Sequence, residues 1–370
     1  MANLFFIHTP LQLMIAQMII KQEQLKDNIM LYGYVDNNSH FIEIYDLTIV
    51  DELWKARVSM PHVSRWALMS RKHLLRDGRT AYHNYKFIAK VILDYHVDSL
   101  FLGDMWNNSC QLTALIFHQK GFKICFYEEG CGHYIKPYDY GREGNLVDRF
   151  FAFFIDLLYY RPLYGVSFGY IHYWKGLTFQ DLPMDVRYSV MPFYHEKFDK
   201  VLTIRPTISD KLAKYISSEV KQIGRRGNVL LLTTPIYELG GERYEIDEDA
   251  YINTILNYLK STDKNSCTHI KFHPREKEYI RQRIITELEE ANIRYILLGS
   301  NVNIPVEYYL QCIHYEKVVV ILSSTSFYNG YLFPKVEFEF IFYDYYNNCK
   351  AAGSQSLYLL EPLLKEIPKG

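Results

Sequence analysis

Three short runs in this chain combine side chains that can move a proton or hold an anion, and each follows an apolar stretch. Tyr127-Glu128-Glu129-Gly130 places two carboxylates side by side before a glycine. Adjacent acids that are partly buried repel one another and raise at least one pKa, which suits a general base. A solvated turn with two surface carboxylates would read the same way. Lys271-Phe272-His273-Pro274-Arg275 ends an apolar run on a histidine between cations. An imidazolium, with an ordinary pKa of about 6.5, can protonate or neutralise a departing phosphate. A hydrogen-bonded histidine closing a strand is the plainer alternative. Ser323-Ser324-Thr325-Ser326 follows Val318-Val319-Val320-Ile321-Leu322, and hydroxyls at the start of a helix can hold a phosphate or simply cap the helix.

Two further acidic places carry less. Asp247-Glu248-Asp249 has the D-x-D spacing of some metal sites, but it precedes a helix-like stretch at 250–259 and fits first-turn carboxylates and a cap better. Asp104 follows an apolar run with nothing to give it a role.

The elements that must position these residues read as short apolar runs, each followed by a turn and a helix-compatible stretch, the pattern of parallel α/β units. Residues 3–7 form a buried strand; Thr9 caps the next helix, Pro10 fits its first turn, and Leu11, Met14, Ile15, Met18 and Ile19 share a face. Runs at 99–102 and 123–127 end in Gly103-Asp104 and in the acidic pair. Character changes over 198–226, where a strand at 201–204 leads into a charged helical stretch, so domains of 1–205 and 206–370 are expected. Beyond that point, runs at 229–232, 269–272, 295–298 and 318–322 end in Thr233-Thr234-Pro235, His273-Pro274, Gly299-Ser300 and Ser323-Ser324. Open parallel sheets bind ligands beyond the carboxyl ends of their strands. The expected fold class is α/β with two Rossmann-like domains facing across a cleft, called GT-B; one large sheet with insertions would show the same runs.

Composition narrows the classes. With 41 Lys+Arg against 42 Asp+Glu there is no global basic field, which disfavours a nucleic-acid partner. The six cysteines form no C-x-x-C pair, so a reducing compartment is expected. The run at 4–7 is broken by His8-Thr9-Pro10 before it reaches the length of a signal-peptide core, and no apolar window is long enough to span a bilayer. A cytoplasmic location follows. The aromatic share of 16% offers flat rings for a core, a sugar or a membrane surface. Residues 64–79, with Arg65, Arg71, Lys72, Arg76 and Arg79 among apolar neighbours, and the Phe-rich run at 149–160 could contact anionic lipid peripherally or simply cover a core. Oligomeric state stays open.

The order E-E-G, then H-P, then a serine pair resembles the bacterial sialyltransferases of the GT-B type, whose shared motifs are acid-acid-Gly, His-Pro and Ser/Thr-Ser/Thr. Leu4-Phe5-Phe6-Ile7-His8-Thr9-Pro10-Leu11-Gln12-Leu13 also looks like the start of the lipooligosaccharide sialyltransferases of glycosyltransferase family 52, and Ile304-Pro305-Val306-Glu307-Tyr308 adds to that likeness. Glu-Glu, where those enzymes often have Asp-Asp, is nearer the polysialyltransferase pattern. The resemblance runs from end to end. It implies inverting transfer of sialic acid from CMP-sialic acid to a glycan hydroxyl, such as that of a galactoside, on a lipooligosaccharide or capsule, at the cytoplasmic side of the inner membrane.

On that resemblance Glu129 takes the acceptor proton and Glu128 supports it. His273 is the acid facing the CMP phosphate, Ser323 and Ser324 bind that phosphate, and Lys271, Pro274, Arg275, Thr9 and Gln12 complete the donor site. No metal and no resident cofactor is implied, since a histidine, hydroxyls and a helix end can stabilise a single-phosphate leaving group. Some relatives place the base after the first strand of the second domain, where Glu238 and Glu242 stand. Two other readings compete: a GT-B transferase using another nucleotide sugar, and a catalytically silent subunit of glycan assembly.

Overall fold

A computed structural model describes residues 2–33, 39–61, 74–103, 108–127, 154, 157, 161–164, 184–190, 199–223, 229–235, 248–261, 267–321, 323–327, 332–333 and 335–351. The chain divides into two compact units, Met1–Ser209 and Asp210–Gly370, against the boundary after residue 205 expected from sequence.

The first unit carries strands β1 (Ala2–Ile7), β2 (Asn28–Tyr32), β3 (Ala56–Ser59), β4 (Val97–Leu102), β5 (Lys123–Tyr127), β6 (Val186–Ser189) and β7 (Lys200–Val201). All pair in parallel, in the order β3-β2-β1-β4-β5-β6-β7. Helices α1 (Pro10–Gln22), α2 (Ser39–Thr48), α3 (Leu74–Tyr95) and α4 (Asn108–Gln119) connect the first five strands. Strand β1 is central and buried almost throughout, which is why it reads as a continuous apolar run. Leu4 lies level with Ile29 of β2 and Leu100 of β4, and the Phe5 ring stacks on Phe101 at 4.3 Å between centroids. Burying each such side chain stabilises the fold by about 1.5–3 kcal/mol. The edge strand β3 alternates in exposure and has no apolar run to announce it.

The second unit is the same device built smaller. Strands β8 (Val229–Leu232), β9 (Thr268–Lys271), β10 (Tyr295–Leu297), β11 (Lys317–Val320) and β12 (Glu337–Phe340) are parallel in the order β10-β9-β8-β11-β12. Helices α5 (Asp210–Ile223), α6 (Glu248–Ser261), α7 (Glu278–Glu290), α8 (Val306–Cys312), α9 (Ser324–Phe327) and α10 (Phe342–Ala351) surround it. Taken in order within its own unit, each sheet runs 3-2-1-4-5, the doubly wound Rossmann order. The chain reverses direction across the sheet between β1 and β4, and again between β8 and β11. Ligands bind at such switch points, beyond the carboxyl ends of the strands.

The α/β fold with two Rossmann-like domains expected from sequence is therefore observed. The strand expected at 201–204 shrinks to Lys200–Val201: the Leu202 N–H still reaches the Ser189 carbonyl, but the Thr203 N–H donates instead to Gln22 Oε1. Among the described residues no helix is long and apolar enough to cross a membrane.

Candidate active site

At the switch point of the second sheet, Leu232 of β8 is level with Lys271 of β9 on one side and Val320 of β11 on the other. The residues just past these three ends are Thr233, His273 and Ser323. Thr233 accepts a hydrogen bond on Oγ1 from the His273 backbone N–H at 2.9 Å, and its own N–H reaches the Lys271 carbonyl at 3.2 Å. Pro274 then prevents the strand from continuing. The Arg275 N–H donates to His273 Nδ1 at 3.1 Å, so in the neutral ring Nε2 carries the proton. That Nε2–H has no partner among the described residues.

Burial, reinforced by Arg275, Lys271 and Arg281, brings the His273 pKa down to about 4. The free protein therefore presents a neutral imidazole at pH 7, where the sequence suggested an imidazolium. A phosphate anion beside the ring would raise its pKa again.

Beneath the turn lies a polar network that short motifs do not reveal. Lys271 is only 6% exposed, its ammonium meeting Asn303 Oδ1 and lying 5.9 Å from the centre of the Tyr309 ring. Burial lowers its pKa to about 8 while the carboxylates of Glu307 and Glu219 oppose the shift. Glu307 is also buried, which raises its carboxyl pKa, and it accepts a hydrogen bond from Thr325 Oγ1 at 2.8 Å. Glu219, from α5, accepts from the Gly299 N–H at 2.8 Å and from the Tyr309 hydroxyl at 2.5 Å. Gly299 has φ +67 with Asn303 and the Lys271 ammonium close by, a conformation and a space that suit glycine.

The serine run begins as a cap. Ser323 Oγ accepts from the Thr325 N–H at 3.3 Å, which leaves its O–H to donate, and the Ser326 hydroxyl donates to the Ser323 carbonyl at 2.5 Å. Through Thr325 this loop is tied to Glu307, whose carboxylate acts electrostatically on Lys271, two residues before His273. Thr233, Asn303 and Arg281 were not singled out as site residues from sequence, whereas Thr325 lay within the serine run. Of the three only Thr233, at a strand end, carried a positional signal.

In the first unit, Thr9 and Gln12 lie at the carboxyl end of β1. Thr9 caps α1, accepting the Gln12 N–H on Oγ1 at 3.2 Å, and Gln12 Oε1 accepts the His8 N–H at 2.6 Å. His8 itself is buried, its Nδ1 3.2 Å from the Gly33 carbonyl oxygen and its Nε2 3.2 Å from Cys110 Sγ. Tyr127, which ends β5, is fully buried and donates to the Phe6 carbonyl at 3.2 Å. A Cβ on Gly103 would fall 2.5 Å from Cε2 of Tyr127 and 2.8 Å from Cγ of Gln12, so only glycine fits.

Glu128, Glu129, Asp104, Asp247, Glu238 and Glu242 lie outside the described residues, as do the side chains of Ser324 and of 64–79 and most of 149–160. Glu248 and Asp249 open α6. Glu248 pairs with Lys277 at 2.9 Å and Asp249 with Arg283 at 2.5 Å.

A family model described as alpha-2,8-polysialyltransferase (POLYST) matches residues 3–340. No curated protein matches the chain. Among solved structures, the chain is similar to an alpha/beta-galactoside alpha-2,3-sialyltransferase from the luminous marine bacterium Photobacterium phosphoreum, at 14% identity and a TM-score of 0.46, covering 92% of this chain and 90% of that one. It is also similar to a glycosyltransferase from Rickettsia africae, at 12% identity, a TM-score of 0.41 and coverages of 86% and 72%. A third is UGT71G1 from Medicago truncatula complexed with UDP-glucose, at 11% identity, a TM-score of 0.44 and coverages of 86% and 75%.

Proposed function

This chain belongs to the alpha-2,8-polysialyltransferase family, and from that premise we propose that it moves sialic acid from CMP-sialic acid to a glycan hydroxyl with inversion and without a metal ion. Membership makes it a glycosyltransferase, specifically a sialyltransferase. The donor, the stereochemistry and the residue roles are our reading.

The observation that carries the reading is the turn at His273. Its N–H is held by Thr233, its Nδ1 by the Arg275 N–H, and its Nε2–H is left to donate at the switch point of a doubly wound sheet. The phosphate oxygen that leaves the sialyl carbon would accept from Nε2–H and from the Ser323 hydroxyl, with Arg275 nearby in charge. Lys271 would support that site from below while bonded to Asn303. Donors fixed before charge develops stabilise it without reorganisation, and a leaving group with one phosphate asks for less neutralisation than a diphosphate.

The acceptor oxygen attacks the anomeric carbon as the carbon–oxygen bond to phosphate breaks. The acceptor's proton passes to Glu129, supported by Glu128, and CMP departs as a phosphate anion that accepts a hydrogen bond from the neutral ring's Nε2–H, with no proton transferred from His273. Thr9, which caps α1, and Gln12, whose Oε1 holds the His8 N–H, would shape the crevice at the carboxyl end of β1. The family description favours the 8-hydroxyl of a sialyl terminus as acceptor; a galactoside is the second reading, from the sequence resemblance.

Purified protein incubated with CMP-sialic acid, EDTA and a panel of galactosides and sialyl-terminated glycans should release CMP and yield a product of inverted anomeric configuration. No CMP release with any acceptor would overturn the proposal.

A further inference from the structure

The His-Pro turn is held from a fourth direction, by a residue that no motif contains. Arg281, in the first turn of α7, donates from Nη2 to the His273 carbonyl at 2.9 Å and to the Pro274 carbonyl at 3.4 Å. Its guanidinium carbon lies 5.7 Å from the centre of the Phe272 ring, and its Nη1 is 3.9 Å from an exposed Glu278 carboxylate. Its Nε is buried without a partner among the described residues. A buried donor left unmatched costs free energy, so the guanidinium is placed to serve the two carbonyls. The His273 carbonyl takes a second bond from the Glu276 N–H at 2.9 Å, which uses both its lone pairs.

We propose that Arg281 is a positioning residue of this site, its Nη2 bridging the His273 and Pro274 carbonyls so that the turn holds the imidazole as an Nε2–H donor. A lysine carries the same charge but lacks the planar guanidinium that, lying 5.7 Å from the Phe272 ring, aims Nη2 at both oxygens. The charged groups that face the ring are Arg275 on the turn, Lys271 on β9 and Arg281 on α7, with Glu307 and Glu219 acting on Lys271 behind it. The donor-phosphate role rests on the function proposed above; the locking of the ring does not.

The test is the imidazole nitrogen-15 spectrum of His273 across pH in the full chain, for wild type, Arg281→Lys and Arg281→Met, beside steady-state kinetics. Wild type should show the Nε2–H tautomer alone. Both variants should show mixed tautomers, and Arg281→Met should also raise the ring's titration midpoint by about half a pH unit, since a neighbouring positive charge has gone. Both should lose about tenfold in kcat with little change in KM for the donor, the mark of an interaction that matters in the transition state. Unchanged tautomers in folded Arg281→Lys and Arg281→Met would overturn the proposal. Tautomers that follow Arg281 in a chain without sialyl transfer would uphold the positioning and reject the donor reading alone.

Discussion

The backbone N–H of His273 donates to the hydroxyl of Thr233 across the ends of two neighbouring strands, at 2.9 Å. The bond fixes where the imidazole leaves the sheet and joins β8 to β9 at the switch point. Thr233→Val keeps the shape and removes the acceptor. Leaving that N–H unsatisfied should destabilise the chain by about 1–3 kcal/mol, read as a lower urea midpoint, and weaken CMP binding. A midpoint and an affinity both equal to wild type would show that the bond positions nothing.

Stability should depend on pH through His273. Its ordinary pKa is near 6.5 and in the folded chain it lies at about 4. As pH falls from 6.5 to 4 the unfolded chain takes up a proton that the folded chain refuses, so stability declines across that window. Above it the ring is neutral in both states and contributes no slope. His273→Gln should flatten this part of the curve of denaturant midpoint against pH; parallel curves for the two proteins would refute the shift.

Thr325→Val should loosen the serine loop. The buried Glu307 carboxylate would lose its hydroxyl donor, costing about 1–3 kcal/mol, and the backbone N–H of residue 325, which holds Ser323 Oγ, would no longer be fixed by Glu307. The urea midpoint and the affinity for CMP should fall together. A lower midpoint with unchanged affinity would mean that the tie serves folding alone.

Gly103→Ala should be felt in the first unit. The added Cβ would overlap the Tyr127 ring and the Gln12 side chain, and overpacking of this kind costs about 1–3 kcal/mol. Because Tyr127 directly precedes Glu128, turnover should fall further than CMP affinity. Equal turnover in the variant would separate the acidic pair from this packing.

What the sequence revealed and what it hid follow one physical line. Central strands β1, β5 and β8 were readable because burial on both faces demands a continuous apolar run. Edge strands β3 and β12 were not, since half-exposed strands such as Glu337–Phe340 mix charge with apolar residues. Thr9 and Pro10 marked the start of α1 because a cap and a first-turn proline are local signals. His273 and Ser323 were found as residues at strand ends. Thr233, Asn303 and Arg281 were missed because their value lies in contacts between separate segments, such as the 40-residue separation of Thr233 and His273, which no single run of sequence displays. The state of the imidazole was missed for the same reason: two of the cations acting on it were visible beside it, but its burial was not.

The central claim is that His273 and Ser323 receive the donor's phosphate, and calorimetry comparing CMP with cytidine tests it most directly. In His273→Ala and Ser323→Ala, CMP affinity should fall by about tenfold or more, about 1.4 kcal/mol, while cytidine, which lacks the phosphate, binds as it does to wild type. CMP affinity left intact in both variants, or CMP and cytidine weakened equally, would contradict the account.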